Sequence, residues 1–470
     1  MSILFNMELQ PRHVELPTFE EIRAFIDSDS CSKENKKLRV IEERLVHKPF
    51  FEKSISYQIG NFKGDINLVV NDITLGQHNF LKESDIAYGK SVGGCRVVQE
   101  LTQEETMSEA KNLARAMTRK EALVYFMGSL LDHEKKEITY DQLRSFLMGG
   151  CKTAIRVNDL EAYKKDKEFQ HDLFIRFGLE VNSLSGLLTT GEDANTGPEQ
   201  FNIVHKVTPY VFSQSPELES VLLKGTGNPS QITAEGLYSS MATLAKEIFG
   251  GLDGKVIGIY GTGNVGSFLA KRICSERYHK APILVLADVI TERAEKLADE
   301  LRDKDIYPGA GQILVVSPKY LIEGSRNMGI EIFSPNALHS TLNTASVAHL
   351  AQNPKLKLIC GGENIQTERN HDGTTKIEIE EELFYGGIYH APDPSVNLGG
   401  ATYVTEGFPG RTRDGSSKRI VGEGTRLLAP QIYHRSMESG LLPFEVANKI
   451  GLSVIAAAEQ KWGKLEAYRN

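Results

Sequence analysis

Only five cysteines occur in 470 residues, at positions 31, 95, 151, 274 and 360, and no two of them form a CxxC pair. An odd, dispersed set excludes a disulfide framework and a zinc-binding pattern, and reads as the reduced thiols of a cytosolic enzyme. A cytoplasmic location and no metal site are therefore expected. A basic excess is also missing. Lys and Arg number 54 against 62 Asp and Glu, for a net charge of −8. That excludes the basic patch of a nucleic-acid-binding protein and offers nothing to an acidic membrane surface. Long hydrophobic runs are absent: no stretch approaches the ~20 apolar residues of a spanning helix. The opening run Ile3 to Phe5 is far shorter than the apolar core of a signal peptide. There is no internal repeat and no low-complexity segment, so solenoid architectures are excluded. What remains is 40% hydrophobic and 25% charged, as in ordinary globular proteins. The length suits two to three domains, each with its own core.

The first half mixes periodicities. Residues 17–28 predict a helix with Phe19, Ile22 and Phe25/Ile26 on one face, and 55–60 and 66–71 predict strands. Thr102 with Glu105 makes a capping box, and Met107, Ala110, Leu113, Ala114 and Met117 form the stripe of the helix it opens. From about 252 to 400 the pattern is regular. Apolar segments at 256–260, 283–287, 313–316, 330–333, 356–360 and 387–390 alternate with helical stretches, one of them capped by Thr291 with Ala294, Leu297, Ala298 and Leu301 inward. Alternation of this kind predicts a parallel sheet with helices on both faces. The fold class is therefore α/β, with an N-terminal α/β domain over 1–233 and a doubly wound Rossmann domain over 234–435. Residues 407–418 read as a loop, and helices over 436–470 are expected to pack back on the first domain. A Gly/Pro turn at 228–233 precedes the helix expected at 234–249.

The sharpest local motif is Gly261-Thr262-Gly263-Asn264-Val265-Gly266, which follows the strand 255–260 and opens a helix. Gly261 permits the tight turn, Gly263 lets the backbone approach a pyrophosphate, and Gly266 lets helix and sheet pack closely. The helix N-terminus offers free N–H groups and a positive dipole end to phosphates. The next strand ends in Asp288, 22 residues past Gly266. A carboxylate there accepts ribose hydroxyls and repels a 2′-phosphate, which favours NAD over NADP. A glycine turn alone fixes a dinucleotide fold and not a chemistry.

The chemistry must come from the first half. Lys120 stands in Met117-Thr118-Arg119-Lys120, Lys152 follows Gly149-Gly150-Cys151, and Asp193 closes Thr190-Gly191-Glu192-Asp193. Singly, each has an ordinary reading: a helix-end dipole partner, a residue after a turn, an N-cap. Together with the Rossmann half, the chain resembles the dehydrogenase superfamily acting on glutamate, leucine, phenylalanine and valine, over roughly residues 66 to 404. The resemblance also runs through Asn71-Asp72-Ile73-Thr74-Leu75-Gly76, Gly93-Gly94-Cys95-Arg96 and Gly227-Asn228-Pro229-Ser230 with Thr233. It continues through Pro335-Asn336-Ala337-Leu338, Gly361 to Asn364, and Ala391-Pro392-Asp393 to Asn397-Leu398-Gly399-Gly400.

The resemblance implies a homo-oligomer acting on a small L-amino acid and its 2-oxo acid. It makes Lys152 and Asp193 catalytic and gives Lys120, Gly93, Gly94 and Asn364 to the substrate. Thr233, Asn336 and Ala337 go to the cofactor with the glycine turn. Lys152 activates the attacking water, for which its pKa must fall, with Lys120 as the neighbouring cation; Asp193 exchanges protons with the amine. Glutamate-type members carry a Lys before the Gly-Gly pair and a Ser after the later Asn-x-Gly-Gly. Here Val92 and Val404 stand in those places, where a buried carboxylate would be unpaired. An apolar substrate, branched-chain or aromatic, is expected. The alternatives are a specialised bulky substrate and an inactive NAD-binding regulatory homologue. The two lysines are 32 residues apart, farther than in the family, through an insertion at about 124–148. A second insertion covers about 77–90, and His339 replaces the usual glycine.

Overall fold

The computed structural model describes residues 12–28, 36–81, 87–99, 101–215, 217–218, 228–370, 374–408 and 415–464. The chain divides into two compact units. The first holds Met1–Asn228, Ala401–Asp414 and Lys449–Asn470; the second holds Pro229–Gly400 and Gly415–Asn448. The sequence boundary at 233/234 thus differs from the compact units by a few residues; the one at 435/436 falls short of Asn448, where the second unit ends, and 401–414 return to the first unit.

The first unit is built on a five-stranded sheet in the order β1-β2-β4-β3-β5. Its strands are β1 (Phe51–Ile59), β2 (Phe62–Asp72), β3 (Ser91–Val98), β4 (Gly149–Val157) and β5 (Thr189–Glu192). β1 and β2 form an antiparallel hairpin turned at Gly60, whose φ is +56°, and β3 runs parallel to both β4 and β5. β1 is a mostly exposed edge strand, which is why its first residues carry no apolar alternation. One face of the sheet packs a core that includes Cys95, Cys151, Ile155, Leu173, Phe174 and Phe177. The other carries the helix Gln103–His133, with Ala110 and Ala114 against Val69 and Ala154.

That helix begins at the expected Thr102–Glu105 capping box but does not stop near Lys120. Residues 120–131 are all buried and hold no proline, and burial outweighs the one glycine, Gly128, so it continues to His133 and ends where Lys135 takes φ +53°. Lys120 is mid-helix, not at a helix end. The later insertion is thus partly helix extension. The rest is the short helix Tyr140–Ser145, capped by Thr139, with Leu143, Phe146 and Leu147 buried as expected.

The second unit has six parallel strands in the order β11-β10-β9-β6-β7-β8. They are β6 (Val256–Tyr260), β7 (Ile283–Ala287), β8 (Ile313–Val315), β9 (Ile332–Pro335), β10 (Leu358–Ile359) and β11 (Tyr389–His390). All six stand within the apolar segments read from sequence or extend them by two residues. The strand order reverses between β6 and β9, and ligands of such sheets bind beyond the strand ends at that switch point. Two helix starts differ from expectation. The helix Ser230–Phe249 opens four residues before 234 and takes in Thr233; Thr291 is the first helical residue, with Ile290 as the uncapped N-cap. Residue 227 and residues 409–414 of the expected 407–418 loop lie outside the described residues, and the end of that loop is instead helical, since the helix Ser416–Ser439 opens there.

Candidate active site

Glycines bring the charged groups of the first unit together. β3 passes between β4 and β5 at Gly93 and Gly94. A Cβ on Gly93 would stand 1.8 Å from the Cys151 carbonyl oxygen; on Gly94, 2.6 Å from that of Glu192 and 3.0 Å from Cβ of Asp193. A Cβ on Gly150 would lie 2.1 Å from the Thr118 nitrogen, so glycine lets the long helix lie directly on β4. Side chains alternate along a strand, so Lys152 points to the side of Gly150 and Ala154, the helix side. Lys120, two residues beyond Thr118, is buried there too.

Lys152 Nζ lies 2.7 Å from Asp193 Oδ2, with side-chain exposures of 7% and 15%. The same oxygen accepts a hydrogen bond from Arg96 Nε at 2.8 Å, and Arg96 Nη1 reaches Glu109 at 2.5 Å. Burial raises the Asp193 carboxyl, but Lys152 and Arg96 outweigh it and hold the group well below the usual carboxylate range. The adjacent Glu192 is raised to about 7, by burial and then by the Asp193 charge. The partner found against Lys152 is thus a carboxylate, Asp193. Sequence reasoning also missed Arg96. Its signal was present: on β3 it sits two residues from Gly94, on the face that meets Asp193. Glu121 was missed as well. It is fully buried beside Lys120, neither carboxyl oxygen has a hydrogen-bond partner, and burial raises it to about 8.

Val92 and Val404 fall in one apolar cluster with Tyr88, Met148 and Phe408. Tyr88 and Met148 come from the two insertions, which are tied to each other. Asn79 Nδ2 donates to the carbonyls of Gly89 and Leu147 at 2.9 and 2.8 Å, Tyr88 donates to Asn79 Oδ1 at 3.0 Å, and Arg144 donates to the His78 carbonyl at 2.9 Å. Residues 82–86 of the first insertion lie outside the described part. Cys95, Cys151, Cys274 and Cys360 are buried free thiols, and burial pushes Cys151 up to about 12, so these sulfurs are packing residues. Cys31 lies outside the described residues.

In the second unit Gly261 takes φ +94°, and a Cβ on Gly266 would stand 2.0 Å from the Gly261 carbonyl oxygen. A Cβ on Gly263 would meet nothing within 4 Å, so open space lies where a phosphate would approach the turn. The helix Asn264–Ser275 starts there, with Asn264 exposed and Val265 partly buried against the core. These features fit a dinucleotide. Asp288 stands at the end of β7, but its carboxylate turns toward the motif: Oδ2 accepts from the Thr262 N–H and hydroxyl at 2.7 and 3.1 Å, and Oδ1 from the Ile290 N–H at 2.9 Å. A carboxylate has about four acceptor positions, so it ties the turn and keeps capacity for a ribose hydroxyl. Asn336 Oδ1 accepts the Gly362 N–H at 3.0 Å and Ala337 is exposed. Asn364 is exposed, its Oδ1 accepting from Asn397 at 3.2 Å. Thr233 bonds back to the Pro229 carbonyl at 3.2 Å. A Cβ on Gly399 would meet the Ile232 carbonyl oxygen at 2.3 Å, so this glycine seats the Gly399–Val404 helix on that turn. His339 is exposed, and the left-handed residue of its turn is Ser340, φ +56°.

A doubly wound sheet whose switch point carries a phosphate-ready glycine turn defines a dinucleotide-binding fold, and the buried lysine–aspartate pair adds groups suited to proton transfer. No protein-family model matches the chain. Individual proteins do. A leucine dehydrogenase of Geobacillus stearothermophilus is 30% identical over 338 residues, covering 72% of this chain and 76% of that protein. A valine dehydrogenase of Streptomyces albus is 28% identical over 385 residues, 82% of this chain and 88% of that one. The solved L-tryptophan dehydrogenase of Nostoc punctiforme superposes with a TM-score of 0.60 at 22% identity, over 90% of this chain and 99% of its own. The chain belongs to the leucine dehydrogenase family of amino-acid dehydrogenases.

Proposed function

We propose that the chain catalyses the reversible NAD-dependent oxidative deamination of an apolar L-amino acid to its 2-oxo acid and ammonium. The observation that carries this reading is the 2.7 Å contact of Lys152 Nζ with Asp193 Oδ2. Bound NAD supplies the hydride acceptor. On the chain's side, the Lys120 ammonium is the counter-charge for the substrate carboxylate. Lys152 first passes its proton to Asp193, which relays protons to and from the amine; the neutral Lys152 then takes the proton of the attacking water and faces the developing carbonyl oxygen. The backbone at Gly93 and Gly94 admits the substrate close to both. Val92 and Val404 leave a side-chain carboxylate unpaired, which favours an apolar side chain.

A panel of L-amino acids with NAD, followed by NADH absorbance, tests this. Leucine, valine or phenylalanine should be turned over and glutamate should not; activity on glutamate alone overturns the reading. Tyr88 and Met148, insertion residues in the same apolar cluster as Val92 and Val404, favour a second reading in which the substrate differs in bulk; turnover restricted to tryptophan or tyrosine would select it.

For the cofactor, Asp288→Asn keeps an acceptor for Thr262 and removes the charge that repels a 2′-phosphate. The NADP-to-NAD ratio of kcat/KM should rise by about tenfold or more. An unchanged ratio, measured with both cofactors, places the discrimination elsewhere.

A further inference from the structure

Sequence reasoning gave no role to Glu363, yet it is a buried acid between two segments read as cofactor and substrate contacts. It is 2% exposed. Its Oε1 accepts the Ala337 N–H at 3.1 Å and a short hydrogen bond from the Thr341 hydroxyl; Oε2 accepts the Thr341 N–H at 3.3 Å. These bonds span the turn 337–341, in which Leu338 is exposed and Ser340 takes φ +56°. A left-handed serine is strained and persists only where its surroundings hold it. The Ser340 N–H donates to the Ile365 carbonyl at 2.7 Å, and Asn336 Oδ1 accepts the Gly362 N–H. The turn is thus pinned to segment 361–366 at both ends, and Glu363 supplies three of the bonds.

We infer that Glu363 is a positioning residue for the nicotinamide cofactor: its ionised carboxylate holds the 337–341 turn against the 361–366 segment in the form that receives the cofactor, and its protonation releases the turn. The inference rests on the dinucleotide reading above. Several charged or titratable groups face it. Burial, with a smaller contribution from the Asp393 charge, opposes ionisation, while the bonds from Thr341 and Ala337 favour it; the balance raises the group to about 7. Arg369 lies 3.8 Å from Asp393. His390 is buried between Glu380, at 2.9 Å, and Gln366 Oε1, at 3.1 Å. Burial lowers His390, but the Glu380 charge outweighs it, with smaller contributions from Asp393 and Glu363, so the group is raised. Tyr260 is raised by burial and by the charges of Glu363 and Asp288, so it faces Glu363 as a neutral phenol.

The sign separates this device from general acid unfolding. Glu363 is raised above the ~4.3 of an unfolded glutamate. Its contribution to fold stability is therefore fully present below that value and is lost as pH rises through about 7. Cofactor affinity runs the other way, strengthening as the carboxylate ionises.

The test is an NADH fluorescence titration of the full chain between pH 6 and 8. Wild type should bind roughly tenfold more weakly at pH 6 than at pH 8, the loss expected for a charged hydrogen-bond acceptor. Glu363→Gln should bind at pH 8 as wild type does at pH 6, with a flat profile. Thr341→Val keeps the acid but removes a bond that favours its ionisation, so the midpoint should move to higher pH. A flat wild-type profile overturns the inference, as does a Glu363→Gln chain with wild-type affinity at pH 8. If that variant does not fold, an unmoved midpoint in Thr341→Val decides against it. A wild-type chain that binds no NADH at any pH overturns the dinucleotide reading and this inference with it.

Discussion

Replacing Lys152 by alanine should cut kcat by about 10³-fold or more, the scale of losing a positioned proton-transfer group, while NADH affinity stays within about twofold, since no cofactor contact is removed. The two effects separate because the groups belong to different units. Lys152 is in β4 of the first unit, whereas the glycine turn, Asp288, Asn336 and Ala337 belong to the second, which has its own apolar core. The fold should survive. Asp193 keeps Arg96 at 2.8 Å when Lys152 is gone, so no bare carboxylate is left, and the loss is about 2 kcal/mol for one charged hydrogen bond. Lys152→Arg should not rescue turnover, because a planar guanidinium with pKa above ~12 cannot serve as the base. Steady-state kinetics with an NADH fluorescence titration check this; substantial turnover in Lys152→Ala removes the mechanism.

The second unit was legible because its signals are local. β6 and β7 are continuous apolar runs, and the glycines at 261, 263 and 266 each answer a backbone requirement set within a few residues. The capping box at Thr102 is equally local. The continuation of its helix past Lys120 was not legible, because burial of residues 120–131 depends on segments far apart in sequence: Tyr125 donates to the Pro17 carbonyl, Phe126 packs on Phe19, and Gly128 lies against Leu143 and Phe146. Arg96 and Glu363 escaped for a related reason. Each matters through partners brought in by the fold, Asp193 from 97 residues away and Ala337 and Thr341 from 26 and 22. Thr291 shows the limit of type preference: threonine suits an N-cap, but Ile290 occupies that place without a side-chain bond. Asp288 was placed correctly at the end of β7, yet its use as a tie for Thr262 is a matter of side-chain direction that spacing does not encode.

Asp193→Asn should be the more damaging change to the fold and about as damaging to turnover. The amide cannot relay a proton, so kcat should again fall by about 10³-fold. It also leaves Lys152, 7% exposed, with a charge and no counter-charge; Arg96 retains Glu109. Breaking a buried pair by removing one partner costs about 3 kcal/mol or more, measurable as a shift of the urea midpoint at pH 7. The pH dependence gives a second, independent reading. Lys152 and Arg96 depress Asp193 in the folded chain against the effect of burial. Its contribution to stability is therefore present above the ~3.9 of an unfolded aspartate and is lost as pH falls below it. The difference in stability between wild type and Asp193→Asn should accordingly be full at pH 7 and shrink as pH drops below about 4. Arg96→Gln supplies the control. It leaves the Lys152–Asp193 contact but removes one of the two depressing charges, so the acidic limb of the kcat/KM profile should move to higher pH while turnover at the optimum persists. If Asp193→Asn is as stable and as active as wild type, the buried ion pair is not the centre of the chemistry.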